Sequence, residues 1–118
     1  MSLESSLKSL LNPLVGSRVY PDVAPDTATF PLITYQQVGG EAGWYLEKEI
    51  PSHKHARVQV NVWSNSRAEA NTLARQVEAA ICHSAFVAEP YGALTALYEP
   101  EIKKFGTRQD FGIHYPDP

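Results

Sequence analysis

The chain has 118 residues, 43% of them hydrophobic and 19% charged, which suits one ordinary globular core and excludes a disordered polypeptide. Ten Lys and Arg against thirteen Asp and Glu leave a formal net charge of −3, so the basic excess of a nucleic-acid module is missing. A single cysteine excludes an internal disulfide and a metal centre built mainly on thiolates, and no apolar run reaches the roughly 18 residues of a membrane span.

The first residues carry Glu4 and no basic leader before a long apolar stretch, so they do not read as a signal peptide. The expectation is a soluble intracellular chain with residues 1–118 as one domain. Leu3, Leu7, Leu10 and Leu11 repeat at helical spacing, with Ser2 as a cap and Glu4 in the first turn. Asn12-Pro13 and Gly16 end this short helix. Residues 18–31 hold three prolines and read as an ordered loop, with a short strand at most over Arg18–Tyr20.

Leu32–Val38 is the first convincing strand, rich in β-branched and aromatic residues. Gly39-Gly40 suggests a turn, and Trp44–Ile50 reads as the return strand. Pro51–His55 is polar and poorly patterned, and is expected to be a solvated loop. Ala56–Trp63 then alternates with period two: Val58, Val60 and Val62 face one way, and Arg57, Gln59, Asn61 and Trp63 the other.

At Ser66 the period changes to that of a helix. Ser66-Arg-Ala-Glu69 fits a capping box, and Ala70, Leu73, Ala74, Val77, Ala80 and Ile81 form an apolar stripe, so a long helix is expected over about 66–83. Phe86–Gly92 reads as a connection, Leu94–Glu99 as a strand with Pro100 at an edge or bulge, and Lys103–Thr107 as a turn. Arg108–Tyr115 alternates again, with Phe111, Ile113 and Tyr115 on one face. The predicted class is α+β: an antiparallel sheet of four to five strands, with the long helix and the short N-terminal helix packed on one face.

No nucleophile elbow, phosphate loop or dinucleotide fingerprint is present, so no catalytic residue, cofactor site or metal site is assigned. His53 and His55 project to one side of an extended chain and would share a metal only with further ligands, which the sequence does not place nearby. Cys82 and His83 diverge by about 100° on a helix and read as structural. Trp63, opposite the valines, has two readings: loops cover it, or it joins a subunit interface.

Arg18-Val-Tyr-Pro21 after a short helix, Phe30-Pro-Leu-Ile-Thr-Tyr35 opening the sheet, and Arg57-Val-Gln-Val-Asn-Val-Trp63 leading into Ser66-Arg-Ala-Glu-Ala-Asn-Thr-Leu-Ala-Arg-Gln-Val77, with a closing Arg108-Gln-Asp-Phe-Gly-Ile113, make a pattern. It resembles the tail completion, or head–tail joining (tail terminator-like), proteins of long-tailed bacteriophages and their prophages, over about residues 5–115. The resemblance implies a small α+β structural protein without catalysis or cofactor, in the virion tail after assembly in the host cytoplasm. It implies a ring, commonly sixfold, that caps the tail tube and meets the head, so the expected partners are further copies of the chain, tail-tube proteins and head-connector proteins. Neither a membrane nor a nucleic-acid sequence is an expected partner. Residues 39–55 look like a loop that orders on assembly, and the candidate interface residues are Trp63, Trp44, Tyr45, His53, Lys54 and His55.

Two other readings compete. A small bacterial interaction or ligand-binding domain would show an apolar pocket of a few hundred Å³. An enzyme built from scattered residues such as His114, Asp110 and Arg108 would show converging groups with shifted pKa values.

Overall fold

The computed structural model describes residues 2–40 and 53–116. The return strand expected over 44–50, with Trp44 and Tyr45, lies outside the described residues. Helix α1 spans Leu3–Leu11, and its N-cap Ser2 accepts the Ser5 N–H through its side chain. Leu3, Leu7 and Leu11 form its buried stripe. A 3₁₀ turn over Asn12–Leu14 follows, with Pro13 in its first positions, where the missing N–H costs little.

Strands β1 (Val19–Pro21), β2 (Leu32–Gln37), β3 (His53–Ser64), β4 (Val87–Glu99) and β5 (Lys104–Pro116) form one sheet in the order β1-β2-β3-β5-β4. Helix α2 spans Arg67–Cys82 between β3 and β4. The α+β class and the antiparallel pairing of β2, β3, β5 and β4 follow the sequence-based expectation. Only β1 departs from it, pairing parallel to β2 and making the sheet mixed. Three residues ending in Pro21 are too short to announce a strand by alternation.

Four boundaries move, each because a neighbouring strand supplies hydrogen-bond partners that composition cannot reveal. His53–His55, expected in a loop, pair with Pro116, Tyr115 and His114 and begin β3. The β2–β3 ladder also runs one step past Gln37, with the Arg57 N–H donating to the Gly39 carbonyl. Val87–Gly92, expected as a connection, belongs to β4, whose register with β5 shifts between Tyr91 and Thr95. An edge strand tolerates Pro90, which cannot donate to a ladder, and Gly92 takes the positive φ of 86° at the irregularity. The β4–β5 turn is 100–103 rather than 103–107, since Lys104 already pairs with Glu99.

Both helices cover one face of the sheet. Ala56, Val58, Val60 and Val62 of β3, Ile33 and Tyr35 of β2, and Phe111 and Ile113 of β5 are buried there with the α1 leucines and with Leu73, Ala74, Val77 and Ile81 of α2. Each large apolar side chain so buried contributes about 1.5–3 kcal/mol.

The capping box of α2 forms only half as written in the sequence. The Ser66 hydroxyl accepts the Glu69 N–H at 3.1 Å. The Glu69 carboxylate, however, accepts from the buried Ser64 hydroxyl, and that hydroxyl oxygen accepts the Ser66 N–H. Arg67 reaches from the same turn to the Gly106 carbonyl at 2.8 Å and to the Leu97 carbonyl, joining α2 to both strands of the β4–β5 hairpin.

Gln109, buried on the helix side of β5, donates to Glu78 of α2 at 3.1 Å and to the Gly92 carbonyl at 2.9 Å. Gln109→Leu leaves that carbonyl without its partner, and urea denaturation should show a loss of about 1–3 kcal/mol. Tyr35 has its hydroxyl pKa raised, first by burial and then by the charges of Glu4 and Asp22. Folding therefore favours the neutral phenol. Its contribution is complete below the free tyrosine value and is lost as pH rises through the folded-state value. Unfolding free energy should fall from about pH 10 upward, and Tyr35→Phe should flatten that fall in denaturant titrations.

Candidate functional site

The face of the sheet away from the helices is where the candidate residues gather. Cross-strand register sets its rows. Leu32, Trp63, Gly106 and Leu97 stand side by side at one end. Thr34, Asn61, Arg108 and Thr95 follow, and then Gln36, Gln59, Asp110 and Tyr91. His55, His114 and Val87 lie at the far end. Strand alternation requires this placement once the β3 valines are buried on the other side.

Two glycines of β5 shape the face. A side chain on Gly106 would place its Cβ 2.6 Å from the Trp63 ring, so the indole lies directly on that glycine. Tyr91 lies over Gly112 in the same way. An aromatic ring thus fills the space each glycine leaves. The Arg57 guanidinium stands 5.1 Å from the Tyr91 ring centre, and its Nε donates to Asp110 at 2.8 Å. His55 Nε2 is 2.8 Å from the Tyr91 hydroxyl, and the His55 and His114 rings are 4.7 Å apart.

Trp63 faces outward as the alternation predicts, but it is only half exposed. The segment 22–28 folds over this end of the sheet, tied by the Asp22 N–H to the Tyr35 carbonyl. Between that segment and the sheet lies an open cleft of about 390 Å³. Phe30, Leu32, Thr34, Asn61 and Trp63 line it, with Ile102 from the β4–β5 turn. The covering segment explains why Leu32 and Thr34 are buried although they lie on the face opposite the helices.

The other candidate residues do not join Trp63. His55 lies eight positions away on β3, about 27 Å along an extended strand. Lys54 is half-buried, and its alternation places it on the helix side. His53 is at the register position of Pro116, and Trp44 and Tyr45 lie outside the described residues. The residues of the enzyme reading do not converge either. Arg108 and His114 are six positions apart on β5, about 20 Å, and Asp110 between them is held by Arg57.

Among the described residues, no group of three His, Cys, Asp or Glu gathers to hold a metal. Among them too, no helix is long and apolar enough to cross a membrane. Cys82 is half-buried, and its thiol pKa is raised by burial first and by Glu78 second, which disfavours the nucleophilic thiolate.

The sequence alone does not reveal the partnership of His55, Tyr91 and His114, because Phe86–Gly92 reads as a connection and nothing local sets which strands pair. It does not reveal the cleft either. The available signal was glycine at two same-face positions of an alternating strand, which marks close approach by a neighbour.

A family profile described as "Tail completion protein gp17" matches residues 4–110. Among curated proteins, none matches significantly.

Gly106→Ala forces the indole of Trp63 off the sheet. The expected cost is about 1–3 kcal/mol by urea denaturation, with a red shift of tryptophan emission as the ring moves into water. Unchanged stability and emission would show that the indole has room to yield.

Proposed function

The chain belongs to the phage tail completion protein family described as gp17, and from that premise we propose that it caps a finished tail tube as a closed ring of its own copies and joins the tube to the head. The observation that carries this reading is the family match over residues 4–110. In this reading the chain is a structural subunit without catalysis, encoded by a phage or prophage. It works in the host cytoplasm during assembly and in the virion tail afterwards.

Ring closure needs a heterologous contact repeated by rotation. Two features support such contacts. The outer sheet face is open and largely polar, with Arg57, Arg108 and His114 exposed on it. Strand β4 is an edge with Val87 and Tyr98 exposed near its two ends, and an edge offers unpaired backbone groups to a neighbouring chain. Trp63, Trp44, Tyr45, His53, Lys54 and His55 are the residues proposed to contact neighbouring subunits, tail-tube proteins or head-connector proteins.

The second reading is a small intracellular binding domain. The cleft at Trp63 favours it, because about 390 Å³ with an apolar floor falls within the range of ligand pockets.

Purified chain added to tail tubes that lack their completion protein should form a ring at the tube end, visible by negative-stain microscopy, and should restore attachment of filled heads. Tubes that stay bare would favour the binding-domain reading. Trp63→Ala should weaken capping about tenfold or more if the indole is an interface anchor. Capping at the wild-type concentration would remove Trp63 from the contact.

A further inference from the structure

The cleft beneath segment 22–28 has a chemistry that the tail role does not assign. Its floor is apolar, with Leu32 and Trp63 beside Phe30. At its rim stand Val23, 79% exposed, and Ile102, 53% exposed, so two large apolar side chains border an open cavity instead of closing it. Asp22 and Asp26 also line it, and neither carboxylate has an ion-pair partner among the described residues. Among the described residues, no Lys or Arg lines the cleft. The cation beside it, Lys104, is held by Asn65 at 2.5 Å and stands over the Phe30 ring. Thr34, 6% exposed, also lines the floor and adds a hydroxyl to it.

These features define what fits. An apolar side chain has the volume and surface for the floor. A neighbouring cation complements the two carboxylates. A backbone amide or carbonyl beside that side chain can reach the Thr34 hydroxyl. The open rim suits a side chain offered from another surface, since a small ligand usually buries most of its area in an enclosed pocket. We propose that this cleft is a docking site for a protein segment presenting an apolar side chain next to a lysine or arginine. The inference goes beyond tail completion and does not require the ring.

The test uses the full chain labelled with nitrogen-15 and an end-blocked tetrapeptide, Gly-Leu-Arg-Gly, as probe. The chain holds two tryptophans, and a Trp44→Phe variant identifies the Trp63 indole signal. The probe should shift the Trp63 indole and the amides of 22–28 in a saturable way by about 5 mM, a concentration suited to a weak single-anchor contact. The double variant Asp22→Asn, Asp26→Asn should keep the rest of the spectrum, showing that it folds, and should weaken the probe about three- to tenfold, as expected for two exposed ion pairs. Three results would each overturn the proposal: no saturable shift, an equal response to Gly-Leu-Glu-Gly, or an equal response to argininamide alone. The last would mark a small-cation site instead. Tail capping is read separately, so a failed peptide titration leaves the tail reading standing, and bare tubes leave the cleft proposal standing.

Discussion

Strand β3 carries the constraint from which the rest of the structure follows. Its twelve residues pair with β2 on one side and β5 on the other. Val58, Val60 and Val62 are buried at 1–2% exposure on one face. A slip of one residue would bring Arg57, Gln59, Asn61 and Trp63 under the helices and turn the valines to solvent. That exchange would cost several side chains' worth of burial, each about 1.5–3 kcal/mol, together with desolvation of a guanidinium and three amide or indole groups. The register is therefore held tightly, and so is the content of the opposite face.

That opposite face is organised by what β5 lacks. Glycine at 106 and 112 lets Trp63 and the hydroxyl end of Tyr91 pack closely against the β5 backbone. Each ring then serves as a platform at its own end. At one end the indole becomes the floor of a cleft, because segment 22–28 folds over only part of it. At the other end Tyr91 collects Arg57 and His55. The polar middle, with Asp110 held by Arg57, separates the two. A face with an apolar end, a charged middle and an imidazole end is suited to oriented contacts, since a rotated partner would misplace both charge and apolar area.

The helix side is made rigid by a few polar anchors set into an apolar core. Arg67 holds the carbonyls of both β4 and β5 near their turn, and Gln109 holds the Gly92 carbonyl where the β4 register shifts. These two contacts keep the long edge hairpin aligned with α2. The edge of β4 is thereby presented as a firm surface. Pro90 and the bulge near Gly92 interrupt that edge in its first half, limiting unrestricted strand addition there.

The α+β class, the two helices and the buried faces of β3 and β5 are legible in the chain alone. Those depend on local periodicity: 3.6 for Leu3, Leu7 and Leu11 and for the Ala70–Ile81 stripe, and two for Val58–Val62 and Phe111–Ile113. The capping serines were readable for the same reason, since a cap acts within one turn. Tertiary structure alone decided the parallel β1, the strand character of His53–His55 and Val87–Gly92, the meeting of His55 with Tyr91 and His114, and the cleft at Trp63. Each of these depends on a partner distant in the chain. Polar or proline-bearing segments such as Pro51–His55 and Phe86–Gly92 carry no periodic signal of their own. Their His53–His55 and Val87–Gly92 parts are strand because β5 offers them donors and acceptors, and a backbone group paired in a ladder need not be left to water.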